Sequence, residues 1–161
     1  MTTASPWSVT ANNKTGSDGY AIPPEENHGA VLVAIADLGT HEREFDKTDR
    51  DGKSTGQKET RAYRQLFLAW ELTDCENPDK KGQNFVIGKE FSLSLGVKSQ
   101  LRGIVEIWKG RKLADGENVG DIHLMLGSKF MVDVTHNKSK DGSKTYGNIK
   151  AVTSVPKKYK V

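Results

Sequence analysis

Apolar positions fall in blocks whose period changes along the chain. Gly29–Leu38 (GAVLVAIADL) is nearly continuous and β-branched, as expected of a buried strand. From Arg61 to Leu72 the pattern alternates. Leu66, Leu68, Trp70 and Leu72 share one face, and Arg61, Tyr63, Gln65, Phe67 and Ala69 share the other. A third alternating block, Asn84 to Leu95, sets Phe85, Ile87, Lys89, Phe91 and Leu93 against Val86, Gly88, Glu90, Ser92 and Ser94. The period then becomes helical. Leu101, Ile104, Val105 and Trp108 recur at i, i+3, i+4 and i+7, and Gly110 supplies the stop. A shorter helical segment covers Asp121–Leu126, ended by Gly127. Two last strands, Lys129–His136 and Thr145–Val155, flank a polar stretch whose Asp141-Gly142 is a hairpin signal. Residues 46–60 contain no apolar side chain and read as a long mobile loop.

Five strands with a helix between the third and fourth is the order of the OB-fold, a small Greek-key barrel that binds oligonucleotides through strands 2 and 3 and their flanking loops. The expectation is therefore an all-β domain with one or two helices, a five-stranded OB-like barrel. Its core holds Trp70, Trp108, Phe85 and Phe91, while Lys89 marks a bulge or the barrel rim. Residues 1–24 read as a flexible arm closed by Pro23-Pro24, residues 25–155 as the barrel, and residues 156–161 as a basic tail.

Composition narrows the class. At 161 residues and 17.7 kDa, with 35% hydrophobic residues and a mean hydropathy of −0.63, one domain with a modest core is expected. No run approaches the ~20 apolar residues of a membrane span, and the start has no secretory pattern. A lone cysteine, Cys75, excludes an internal disulfide and a cysteine-based zinc site, so a reducing cytoplasm is the expected location. The net charge of +3 is unevenly spread. Residues 1–60 carry six Lys/Arg against ten Asp/Glu, and residues 61–161 carry eighteen against eleven. From Lys129 onward there are eight lysines and two aspartates, a gradient able to attract a polyanion or simply to solvate a surface.

Catalytic patterns are poor. His28, His41, His123 and His136 show no metal-ligand spacing, and phosphate-loop, nucleophile-elbow and zincin motifs are missing. Cys75 lies among acidic neighbours that would raise its pKa. The strand carboxylates Asp37, Glu71, Glu90 and Asp133 could converge on a metal, as a nuclease requires, or be rim charges. A non-enzyme without metal or cofactor is expected.

Binding features are richer. Single strands are held by phosphate-tracking cations and by rings on which bases stack. If Leu66, Leu68 and Trp70 face inward, Tyr63 and Phe67 point out, beside Arg61 and Gln65. Those rings either meet a ligand or are covered by the arm, the second helix or a partner subunit. Arg43 and Phe45 follow the first strand, and Trp7 in the arm could clamp a strand end. Lys138, Lys140 and Lys144, with Tyr146 and Lys150, place positive charge beside the strand 2 face.

The segments Ile22–His28 (IPPEENH), Asp37–Phe45 (DLGTHEREF), Arg64–Leu72 (RQLFLAWEL), Lys89–Leu95 (KEFSLSL) and Asn148–Val152 (NIKAV) carry a resemblance. Across roughly residues 22–158 the chain resembles phage and prophage OB-fold single-stranded DNA-binding proteins of replication and recombination modules. The resemblance implies sequence-independent coating of single-stranded DNA in the host cytoplasm. It adds Arg43, Phe45, Arg64 and Gln65 as candidate contacts, with Arg64 on the Leu66 side, at the rim. Cellular counterparts end in a Gly/Gln-rich region with an acidic tip, whereas this chain ends in Lys157-Lys158-Tyr159-Lys160, so recruitment of host enzymes by that route is not expected. Phage replication or recombination proteins are candidate partners, no membrane is expected, and homo-oligomerisation stays open. Two rivals remain: a phage protein-interaction module and a metal-dependent nuclease.

Overall fold

The computed structural model describes residues 20–158. Five strands form one antiparallel sheet in the order β3-β2-β1-β4-β5: β1 (Asn27–Thr48), β2 (Ser54–Glu76), β3 (Asn84–Ser92), β4 (Lys129–Lys138) and β5 (Thr145–Thr153). Helix α1 (Gln100–Lys109) lies between β3 and β4, followed by a short 3-10 helix, Ile122–Met125. The architecture is the expected OB-like one. The sheet stays partly open between β3 and β5, where the Lys89 Nζ donates to the Ile149 carbonyl oxygen at 3.4 Å. That bridging ammonium, 5.8 Å from the Phe91 ring, explains why a lysine interrupts an otherwise apolar face.

One strand has to serve two neighbours. Asn27–Val31 of β1 pairs with β4, while Ala30–Thr48 pairs with β2. Register shifts at Leu32/Ala34 and Asp37/Gly39 insert Val33 and Leu38 as extra residues. Each one-residue slip moves the following side chains to the other face and bends the strand. Leu32 therefore faces inward opposite Trp70, Ile35 faces inward opposite Leu68, and Gly39 lies on the outer face opposite Gln65.

The core matches the alternation. Leu66, Leu68, Trp70, Leu72, Phe85, Ile87 and Phe91 are buried, joined by Leu101, Ile104 and Val105 of α1 and by Phe130 and Val132 of β4. Phe91 and Phe130 meet the Trp70 ring edge-on, with centroids 6.2 and 6.3 Å away. Trp108 differs from expectation. It packs only at the core margin, with the Lys109 ammonium 4.8 Å from its ring, because it ends the apolar stripe just before the Gly110 cap.

The loop expected over residues 46–60 is instead mostly strand. β1 and β2 run on as a two-stranded ribbon, pairing from Thr40 with Arg64 to Thr48 with Ser54. Near the tip the register is irregular, residues 55–57 of β2 lying opposite Lys47, and in the turn the Asp49 carboxylate accepts the amides of Asp51 and Lys53 at 2.9 Å. The ribbon lacks apolar residues there because it covers no core. Of the expected arm, residues 1–19, including Trp7, lie outside the described residues, as do residues 159–161 of the tail. Residues 21–24 are fastened to the barrel. Ala21 donates its amide to Asp79 (2.7 Å), and His136 and His28 reach the carbonyl oxygens of Pro23 (2.7 Å) and Pro24 (3.1 Å).

Candidate nucleic-acid interface

Along the ribbon half of β1, residue type alternates with face. His41, Arg43 and Phe45 point to one side, and Glu42, Glu44 and Asp46 to the other. Directly opposite the first set stand Tyr63, Arg61 and Glu59 of β2. These side chains meet. The His41 and Tyr63 rings are 6.1 Å apart, and Phe45 meets Tyr63 at 6.5 Å and 83°. The guanidinium groups of Arg43 and Arg61 each lie 5.9 Å from the Phe45 ring centre, within reach of its π face. Arg61 also pairs with Glu59. On the reverse face Lys58 pairs with Glu44 at 3.3 Å. The ribbon thus has one aromatic, cationic face and one acidic face.

The aromatic face continues onto the barrel. Gln65 and Phe67 follow Tyr63 on the outer side of β2, both half-buried, with the Gln65 amide 3.5 Å from Glu90. Phe67 leans from β2 onto β3, where the end of its ring fills the space above Gly88. On its β1 side the outer face carries small residues, Ala36 opposite Phe67 and Ala69 between Ala34 and Gly88, while Glu90 stands opposite Phe67 on β3.

Arg64 lies on the other face. Its guanidinium clasps Asp37, with Nε 3.2 Å from Oδ1, so the Asp37 carboxyl is held below the usual range and the arginine above its own. The pair sits on the rim of a cleft of about 910 Å³, lined also by Leu66, Leu95, Arg102, Leu113 and His123. Arg102 there bonds Glu106 (3.0 Å) and the Leu95 and Leu113 carbonyls, which ties the segment after α1 to the barrel.

Lys138, Lys140 and Lys144 occupy the exposed β4–β5 turn. Since β4 runs antiparallel to β1 and pairs with its beginning, that turn leaves the sheet at the end opposite the ribbon. These lysines therefore stand apart from Arg43 and Arg61. Tyr146, half-exposed, borders a shallow hollow with Val86 and Lys80. Lys150 pairs with Asp133 at 3.5 Å. In the turn, Ser139 and Ser143 hydroxyls and the Ser143 amide hold the Asp141 carboxyl at about 2.

Several of these features escape a sequence reading. His41 lies in a stretch with no apolar period to mark it as strand; the alternation His41-x-Arg43-x-Phe45 is the signal that places it on the Arg43 face. Lys80, Val86 and Gly88 join the site only through folding. The strand carboxylates are dispersed: Asp37 binds Arg64, Glu71 accepts from Asn84 at 3.0 Å, Glu90 approaches Gln65, and Asp133 pairs with Lys150. Among the described residues no group of three or more His, Cys, Asp or Glu is placed to hold a metal ion. Burial first, then Asp74 and Glu26, pushes the Cys75 thiol up. No helix among the described residues is long and apolar enough to cross a membrane.

No protein-family model and no curated protein matches the chain.

Proposed function

We propose that this chain is a sequence-independent single-stranded DNA-binding protein of the phage replication and recombination type, acting without catalysis. The observation that carries the reading is the shared face of the ribbon and β2: Phe45, Tyr63 and Phe67 displayed beside Arg43 and Arg61, on an OB-like barrel. Rings give sequence-tolerant stacking, because every base has a π face, and the arginines supply phosphate contacts. The acidic reverse face of the ribbon repels a polyanion, so the strand is directed to one side. Lys138, Lys140, Lys144 and Tyr146, at the far end of the sheet, extend the contact for a strand that crosses the barrel.

Titration of the full chain with fluorescent oligo-dT at several salt concentrations tests this. Binding should weaken linearly in log K against log salt, at ~0.7 per phosphate neutralised on a single strand. A flat salt dependence, or no binding at micromolar protein, removes the reading.

A further inference from the structure

We infer that Gly88 is a positioning residue for a nucleobase platform made by Phe67, an inference that rests on the proposed single-strand function. An ideal β-carbon built at Gly88 would fall 2.7 Å from Phe67 Cε2 and 3.1 Å from Cε1, and closest of all to Cζ. Real β-carbons do not approach so near, so any other residue at 88 forces the ring to move. Gly88 does not owe its place to an unusual backbone, because its φ is not positive, unlike that of Gly82 just before the strand. What the glycine provides is room. The ring of Phe67 can lie down across β3 instead of standing away from the sheet.

A lying ring offers its face to solvent, and the floor around it is low. Ala34, Ala36 and Ala69 are its neighbours on the same face. Larger side chains border this floor: Glu90, the β3 partner of Phe67, with Gln65 and Tyr63 towards one end, and Glu71 and Val86 towards the other. A base can therefore settle on Phe67 from the alanine side, over Ala34, Ala36 and Ala69, with Glu90 bordering the other. A standing ring would present its edge and obstruct the sheet. Cover of a strand glycine by a cross-strand ring is also a known stabilising device, so the two roles have to be separated experimentally.

A double-mutant cycle on the full chain does so, with oligo-dT affinity and thermal melting read for wild type, Gly88→Ala, Phe67→Ala and the double variant. Both single substitutions should weaken binding about tenfold, the scale of one lost stacking contact. The double variant should bind no worse than Phe67→Ala alone, since Gly88 acts only through the ring. If Gly88→Ala folds poorly, removing the ring in the double variant should restore its melting temperature by relieving the overlap. In the wild-type NMR spectrum the Gly88 α-protons should show an upfield ring-current shift that Phe67→Ala abolishes. Wild-type affinity in Gly88→Ala, additive binding losses, or melting losses without binding losses would each overturn the platform role. Absence of oligo-dT binding by the wild type would instead remove the functional reading itself.

Discussion

Tyr63 meets Phe45 edge-on across the ribbon, ring centres 6.5 Å apart, with neither residue belonging to the barrel core. Edge-to-face packing of this kind is worth ~0.5–1.5 kcal/mol beyond area burial, enough to hold two rings outside the core in register. On the proposed reading the pair is preorganised for a base at no cost to the core.

Replacing Phe45 or Tyr63 by alanine should therefore weaken oligo-dT binding by ~1–3 kcal/mol each, roughly fivefold to more than a hundredfold. Stability should fall by no more than ~0.5–1.5 kcal/mol, the worth of the lost ring pair. Fluorescence anisotropy and thermal melts on the same samples check both. A large melting loss with unchanged affinity would mark the rings as structural.

The arginines should differ by face. Arg43→Ala and Arg61→Ala are each expected to lower the salt slope by ~0.7. Arg64→Ala should leave it nearly unchanged, because Arg64 projects from the opposite face of β2, where it clasps Asp37. An equal loss for all three would show that face assignment does not govern contact.

No residue between Val33 and Gln65 is part of the fully buried apolar core. Cutting the ribbon back to a short turn joining His41 to Tyr63 should leave a folded barrel with a sharp melting transition and a greatly reduced affinity. Circular dichroism and the binding titration report the two separately. Loss of the fold would mean that the ribbon stabilises the barrel.

Inside the barrel, Trp70→Ala should cost ~3–5 kcal/mol in denaturant unfolding, as for other large core deletions. Trp70→Phe should cost much less than that. The Trp70 indole N–H is buried and finds no acceptor among the described residues, so the smaller ring removes an unsatisfied donor along with some volume.

Acid sensitivity follows from Glu106. Hydrogen bonds from Lys112, then from Arg102 and the Leu113 amide, bring its carboxyl down from 4.5 to about 2. A folded value below the unfolded one stabilises the protein above pH ~4.5, and that stabilisation disappears as pH falls towards 2. Glu106→Gln should lower the melting temperature at pH 6 and flatten its decline between pH 4.5 and 2. An unchanged acid limb would place the sensitivity in other carboxylates, Glu117 being held equally low by Arg111 and the Ala114 amide.

Period alone determined much of this protein. Alternation at Leu66, Leu68, Trp70 and Leu72 assigns the inner face of β2, and the i, i+3, i+4, i+7 set from Leu101 places α1, because a side chain's direction follows from local backbone geometry. The outward placement of Tyr63 and Phe67 follows from the same rule. The ribbon was illegible by that route: apolar content signals burial, and a strand pair that leaves the barrel buries nothing. The two bulges in β1 were hidden as well, since an inserted residue reveals itself only against its partner strand. Only the tertiary structure decided that Phe45 meets Tyr63, that Arg64 turns away to Asp37, that the β4–β5 lysines lie at the far end, and that Phe67 rests on Gly88. Each is a contact between segments remote in the chain, fixed by strand order and register, and no local pattern encodes those distances.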